Sequence, residues 1–407
     1  MSVIVEKPYR FVPPHHGNGW PTWIQRLRLV DLYLRRKEGI IDYECRHWDR
    51  VGESLRQGHG ILLAPNHCRY ADPLVMGWPA RELNQHVYAM ASWHLFNKNR
   101  FESFAIQKMG AFSLFREGQD RQSLEAAMDI LAKARRPLIL FPEGTTNRTN
   151  DRLQTLLDGV SFIARTAARR RQKADGGKVV IHPVGIKYVF QGDIDQWADR
   201  ALRKLETRLG WEDVDTSRLL PRVRRVAEAL LSLQEIAHIG QVQSGSLHER
   251  REGLIEALLE PIERERGAAK PGAPVLNRVR TLRSRLLPLL MESADEPAKE
   301  RLRRLLKKVD LAQKLDSYPE GYLSVPPVTD TRVLETIQRM QEDFLGRPDS
   351  SYPLKAILEA EEPIEVPAER APRGQVDPIV TELEQQLLGL LERLQHEANV
   401  LDEPPPR

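Results

Sequence analysis

The sequence predicts an α/β domain in its first half and a largely helical region in its second. Three observations point there. Short apolar runs at 61–64, 138–141 and 179–184 have the length and flanks of buried strands. Between them, 123–134 and 153–171 carry apolar residues at helical spacing, and strands alternating with helices indicate an α/β sheet. Beyond about Trp197 the strand signal fades, and five amphipathic stretches follow at 219–239, 247–266, 276–290, 297–315 and 329–345. Gly240, Gly267, Pro271 and Pro319 punctuate them.

Taken in order, the chain divides into an N-terminal amphipathic segment (1–38), the α/β domain (39–200), the helical region (201–345), a linker (346–377), a last amphipathic helix (378–401) and a tail (402–407). The opening Met1–Pro8 lacks the long apolar core of a signal peptide. A single helix over 19–36 would align Trp20, Trp23, Ile24, Leu27, Val30 and Leu34, with Arg26, Arg28, Arg35 and Arg36 off the stripe. Tryptophans on an apolar stripe flanked by arginines suit a membrane surface, although Leu29 and Leu32 break the pattern. No stretch of ~18 apolar residues is present, so no membrane-spanning helix is expected. Residues 346–375, rich in Pro, Glu and Ala, read as a linker. The last helix carries Ile379, Leu383, Leu387, Leu390 and Leu394 on one face, free to dock on the bundle or to pair with a partner. Two basic amphipathic segments, 278–285 and 301–308, suit anionic lipid or nucleic acid by composition, but read most simply as solvated helix faces.

Chemistry concentrates in two places. In Asn66-His67-Cys68-Arg69-Tyr70-Ala71-Asp72, a histidine and a carboxylate stand five residues apart. On one regular helix they would point to different sides, because each residue turns it by about 100°. They meet only if the chain turns, and Pro73 biases Asp72 out of helical geometry. A strand-to-helix turn with Asp72 as N-cap and Pro73 in the first turn fits. The second place is Phe141-Pro142-Glu143-Gly144-Thr145-Thr146-Asn147-Arg148, after the 138–141 strand. A tight glycine turn with hydroxyls and an arginine fork is suited to an anion, most naturally a phosphate. Taken singly, each element has a plain structural explanation.

Together, and in this order, these two blocks resemble the signature of the PlsC-like glycerolipid acyltransferases. Gly110-Ala111-Phe112-Ser113-Leu114-Phe115-Arg116 matches a further block at its Gly and Arg, with Ser113 where an aromatic residue is usual. Val179–Gly185 resembles the fourth block by position. The resemblance spans about 41–190 and implies a mixed sheet flanked by helices. It implies that His67 takes the proton from an acceptor hydroxyl, with Asp72 holding the ring's tautomer. Arg116, Glu143, Gly144, Thr145 and Arg148 would line the site for the acceptor's phosphate end, with Glu143 orienting an arginine or a hydroxyl rather than touching the anion. Lys98 and Arg100 could add charge nearby, but a solvated face is the simpler reading. No cofactor is bound in this scheme: acyl-CoA or acyl carrier protein is a co-substrate, and a lysophospholipid, most simply 1-acylglycerol 3-phosphate, is the acceptor. The implied location is cytoplasmic, peripheral on the inner face of the membrane. Cys68 beside His67 suggests a covalent nucleophile, but adjacent side chains point apart, and a small buried residue is the better reading.

The remaining composition narrows the alternatives. A net charge of +4, from 61 basic and 57 acidic residues, does not indicate nucleic acid, and no aromatic residues interleave the basic segments. Cys45 and Cys68 fit a reduced compartment. No metal-ligand spacing, P-loop or dinucleotide fingerprint is found, and no metal is expected. Two other readings stay open. One is a non-catalytic lipid-binding scaffold working through its helices, with a protein partner there. The other is acylation of a different acceptor, glycerol 3-phosphate or an amino-lipid.

Overall fold

The computed structural model describes residues 9–97, 99–118, 120–174, 177–267, 272–349, 352–369 and 375–402. Lys98, Pro271, Met1–Pro8 and the tail from 403 lie outside them. In chain order the elements are α1 (Gly19–Arg26), α2 (Leu29–Lys37), β1 (Ile40–Arg46), α3 (Asp49–Arg56), β2 (Gly60–Pro65), α4 (Asp72–Val75), α5 (Gly77–Glu82) and β3 (Tyr88–Ser92). There follow α6 (Arg100–Lys108), β4 (Ala111–Leu114), α7 (Arg121–Lys133), β5 (Leu138–Ile139), α8 (Gly159–Ala174), β6 (Val179–Phe190) and α9 (Ile194–Arg208). The second half holds α10 (Leu219–Ile239), α11 (Leu247–Arg266), α12 (Val275–Glu292), α13 (Glu296–Asp316), α14 (Asp330–Leu345), β7 (Leu354–Ala360), β8 (Ile364–Glu365) and α15 (Pro378–Gln395).

The strands form one mixed sheet in the order β1-β7-β6-β2-β5-β3-β4, with β8 also on β6. Strands β6, β2, β5, β3 and β4 run parallel, β7 and β8 are antiparallel to β6, and β1 is parallel to β7. All twelve residues of β6 are buried, as expected of a central strand covered on both faces. Alternate β2 residues serve two layers. Ile61 and Leu63 face Val51, Trp197, Leu205 and Leu334 in one core, while Leu62 and Ala64 face Leu131, Ile163, Leu383 and Leu387 in the other. A third core, separate from both, lies among α10–α13 around Leu258, Leu282 and Leu306. Helices α11–α13 form an arm beside the sheet.

Several expectations need correction. The segment read as a linker holds β7 and β8, and β7 is inserted between β1 and β6. Its apolar residues pair with strands far away in sequence, so local composition does not reveal them. The last helix docks on the sheet rather than the bundle: an added Cβ at Gly185 of β6 would meet Leu394 at 2.8 Å and Leu390 at 3.2 Å. Helix α8 begins at Gly159 and not at Leu153, because Gln154 and Leu157 donate their N–H groups to Glu143 and Pro142. The 19–36 segment is two helices, broken at Arg28, whose φ of 49° is left-handed. Leu34 faces the core, while Trp20, Trp23, Leu27, Leu29 and Leu32 are exposed. The 278–285 face is not merely solvated. Arg278 pairs with Glu263 at 2.8 Å and Arg283 with Asp310 at 3.1 Å. Where end signals are local, the expected helices match closely: Ser246 and Glu249 form a capping box at α11, and Gly240 and Gly267 end α10 and α11 in left-handed geometry.

Candidate active site

Strand β2 delivers His67 to a turn whose two sides are tied to β6. Asn66 accepts from the Ile186 N–H at 2.7 Å and donates to the Ile186 carbonyl at 3.0 Å. Asn150, beyond β5, makes the same pair of bonds with Tyr188, each at 2.9 Å. Buried side-chain amides that copy a strand's bonding pattern fix both loops on one rigid element.

His67 and Asp72 meet as the spacing required, with Nδ1 to Oδ2 at 2.8 Å. The carboxylate does not cap α4, where Ala71 is the N-cap residue. It turns back to accept the Arg69 N–H at 2.9 Å and the Tyr188 hydroxyl at 2.7 Å. Asp72 is fully buried, and Tyr188 with it. An ionised carboxylate in such a place requires several donors, and here three converge on it. The His67 ring stacks on Phe141 with centroids 4.0 Å apart, and its Nε2 faces the Thr146 hydroxyl at 3.1 Å. One nitrogen is therefore held by Asp72 while the other points to a hydroxyl. A neutral imidazole arranged in this way can accept a proton at Nε2.

The 141–148 loop closes the other side. Gly144 turns at φ 67°, a conformation that favours glycine. Glu143 is fully buried and touches neither arginine. Its Oε1 accepts the His67 N–H at 2.6 Å, and its Oε2 accepts from Asn147 at 2.8 Å and from the Gln154 N–H at 2.9 Å. Burial pushes its carboxyl up, to about 8, against the pull of those donors. Glu143 thus binds the loop to the His67 turn instead of orienting Arg148 or Arg116. Arg148 points away toward α14, where it pairs with Glu342 at 2.6 Å and Asp343 at 3.5 Å. Thr145 takes a hydrogen bond from Gln313 of α13 at 3.2 Å. Arg116 opens to solvent and has no ion-pair partner among the described residues; Arg100 is exposed at the start of α6.

The sequence reading did not identify Tyr188, Asn66, Asn150, Thr146, Phe141 or the arm's contacts as parts of this site. Tyr188 lies 116 residues beyond Asp72, in a strand that reads as ordinary core. Cys68 is buried, with its thiol pushed well up by burial first and by Asp72 second, which suits packing and not nucleophilic attack. Among the described residues, no three or more His, Cys, Asp or Glu side chains are grouped to hold a metal ion.

A mixed α/β sheet that presents a buried histidine–carboxylate pair beside a glycine-turned loop is the arrangement that the resemblance to PlsC-like glycerolipid acyltransferases implies for this part of the chain. Residues 49–187 match the family described as Acyltransferase. Over 146 residues the chain is 29% identical to a 1-acyl-sn-glycerol-3-phosphate acyltransferase of Streptococcus pneumoniae (strain ATCC BAA-255 / R6). That similarity covers 35% of this chain and 52% of the relative, so the chain spans about half the length of the curated protein it matches.

Proposed function

We propose that this protein moves a fatty acyl group from a thioester, acyl-CoA or acyl carrier protein, to the hydroxyl of a lysophospholipid. The acceptor is 1-acylglycerol 3-phosphate, as in the name of the relative. The observation that carries this reading is the His67–Asp72 pair, with Nδ1 bound at 2.8 Å and Nε2 directed at a hydroxyl. In the reaction His67 takes the acceptor's proton at Nε2 while the oxygen attacks the thioester carbonyl. Asp72 holds the tautomer and stabilises the imidazolium, and the proton then passes to the departing thiolate. Thr146 stands where the attacking hydroxyl would approach.

The test is transfer of radiolabelled acyl groups from acyl-CoA to lysophosphatidic acid. His67→Ala should lower kcat by about a thousandfold with folding retained. Substantial activity in that variant would remove His67 as the base.

The protein meets its lipid at a surface. Trp20, Trp23 and Leu27 stand exposed beside Phe101 and Phe104, with Phe101 79% exposed and Trp20 packed edge-on against Phe104 at 5.3 Å. An aromatic patch of this kind supports contact with one leaflet. No helix among the described residues is long and apolar enough to cross a membrane. Trp20→Glu with Trp23→Glu should abolish cosedimentation with liposomes, and retained binding would exclude the patch.

A further inference from the structure

The helical arm reaches into the active site. From α12, Arg280 donates through Nη2 to the Glu143 carbonyl oxygen at 3.1 Å. The same nitrogen lies 2.7 Å from where a Cβ on Gly144 would be. From α13, Gln313 bonds Thr145. Both contacts fall on the 143–145 segment, which the proposed reaction turns toward the acceptor's phosphate.

Arg280 differs from its neighbours. Arg278 holds Glu263 and Glu256, and Arg283 holds Asp310. Arg280 has no carboxylate partner among the described residues, and burial holds its guanidinium below the ordinary range. One carbonyl satisfies only one of the several N–H donors of a guanidinium. Arg116 is likewise without an ion pair. Helix α12 passes beside it, where Arg283 lies 3.7 Å from Glu117, the next residue in the chain. Two guanidinium groups without carboxylate partners on neighbouring elements repel each other unless an anion joins them. Arg148 is already neutralised by Glu342 and Asp343.

We infer that Arg280 of the arm and Arg116 of the α/β domain together clamp the phosphate of the acceptor, so that the arm supplies half of the anion site. This rests on the acyl-transfer reading above. Two guanidinium forks from different elements can grip a tetrahedral anion from two sides.

The experiment uses full-length wild type, Arg280→Gln, Arg280→Lys and Arg278→Gln. Transfer is measured to lysophosphatidic acid and to monoacylglycerol, and glycerol 3-phosphate binding is measured by calorimetry. Arg280→Gln should raise KM for lysophosphatidic acid about tenfold or more, leave transfer to monoacylglycerol unchanged, and be partly rescued by Arg280→Lys. Arg278→Gln loosens the arm without touching the loop and should leave KM alone. Equal loss on both acceptors, or an equal KM rise in Arg278→Gln, would overturn the clamp by assigning Arg280 to arm position. Faster transfer to every acceptor in Arg280→Gln would make the contact an obstructing lid and also overturn it. If wild type acylates neither acceptor, the acyl-transfer reading fails by itself. Glycerol 3-phosphate then decides: binding that weakens about tenfold in Arg280→Gln sustains the anion site, and absent or unaffected binding removes it.

Discussion

The sheet and the arm are built on opposite principles. The arm is assembled from helices consecutive in sequence, α11 to α13, whose core also takes in Leu231 of the preceding α10. The sheet takes β1 from residue 40 onward and seals it with β7, whose register pairs Glu44 with Ile357 and Ile186 with Leu358. Helix α15 then returns to cover β6 and α8. A unit made of neighbours can loosen by itself, whereas a unit closed by its last segment depends on that closure. The candidate site lies on the sheet but takes contacts from the arm, so it depends on both.

The largest test of this contrast is truncation after residue 351. It exposes the β1 and β6 edges and uncovers the core around Leu62 and Val179, and it should abolish the cooperative thermal transition seen by circular dichroism. A soluble, cooperatively melting product would refute the closure idea. Next come paired core cavities. Leu390→Ala and Leu282→Ala should each cost about 2–5 kcal/mol, since both side chains are fully buried. Hydrogen exchange should separate them. Leu390→Ala should speed exchange across β2 and β6, and Leu282→Ala only within α11–α13. Matching patterns would mean that sheet and arm unfold as one unit.

A third test concerns acid. His182 of β6 is fully buried between the Ser54 hydroxyl at 2.9 Å and the Glu361 carbonyl at 3.1 Å, and burial pushes its imidazole down to about 4. Between the ordinary value near 6.5 and 4, the unfolded chain binds a proton that the folded one refuses. Stability from this group is therefore complete above pH 6.5 and is lost as pH falls toward 4, by on the order of 3 kcal/mol. His182→Asn should flatten that part of the pH–stability curve relative to wild type, and an unchanged slope would acquit His182. The smallest expected effect is Tyr188→Phe. Losing the 2.7 Å bond to Asp72 should cost about 1 kcal/mol of transition-state stabilisation, read as roughly a fivefold drop in kcat. No change would assign Tyr188 to packing.

What the sequence determined by itself is whatever rests on local bonding. Caps and glycines end α10 and α11 within the chain's own next residues, so these helices were legible with their bounds. The His67–Asp72 turn was legible because the spacing excludes a continuous helix. So was a tight glycine turn after β5, at Gly144. Tertiary structure decided everything that depends on a distant partner. β7 reads as linker until β1 and β6 hold its backbone. Glu143 and Arg148 look alike as polar loop residues until burial gives one three donors and α14 gives the other two acids. Arg280 reads as one cation on a basic helix until the arm folds back on Gly144. Backbone conformation is chosen by neighbours in sequence, but the charge a side chain meets and the water it loses are set by whatever packs against it.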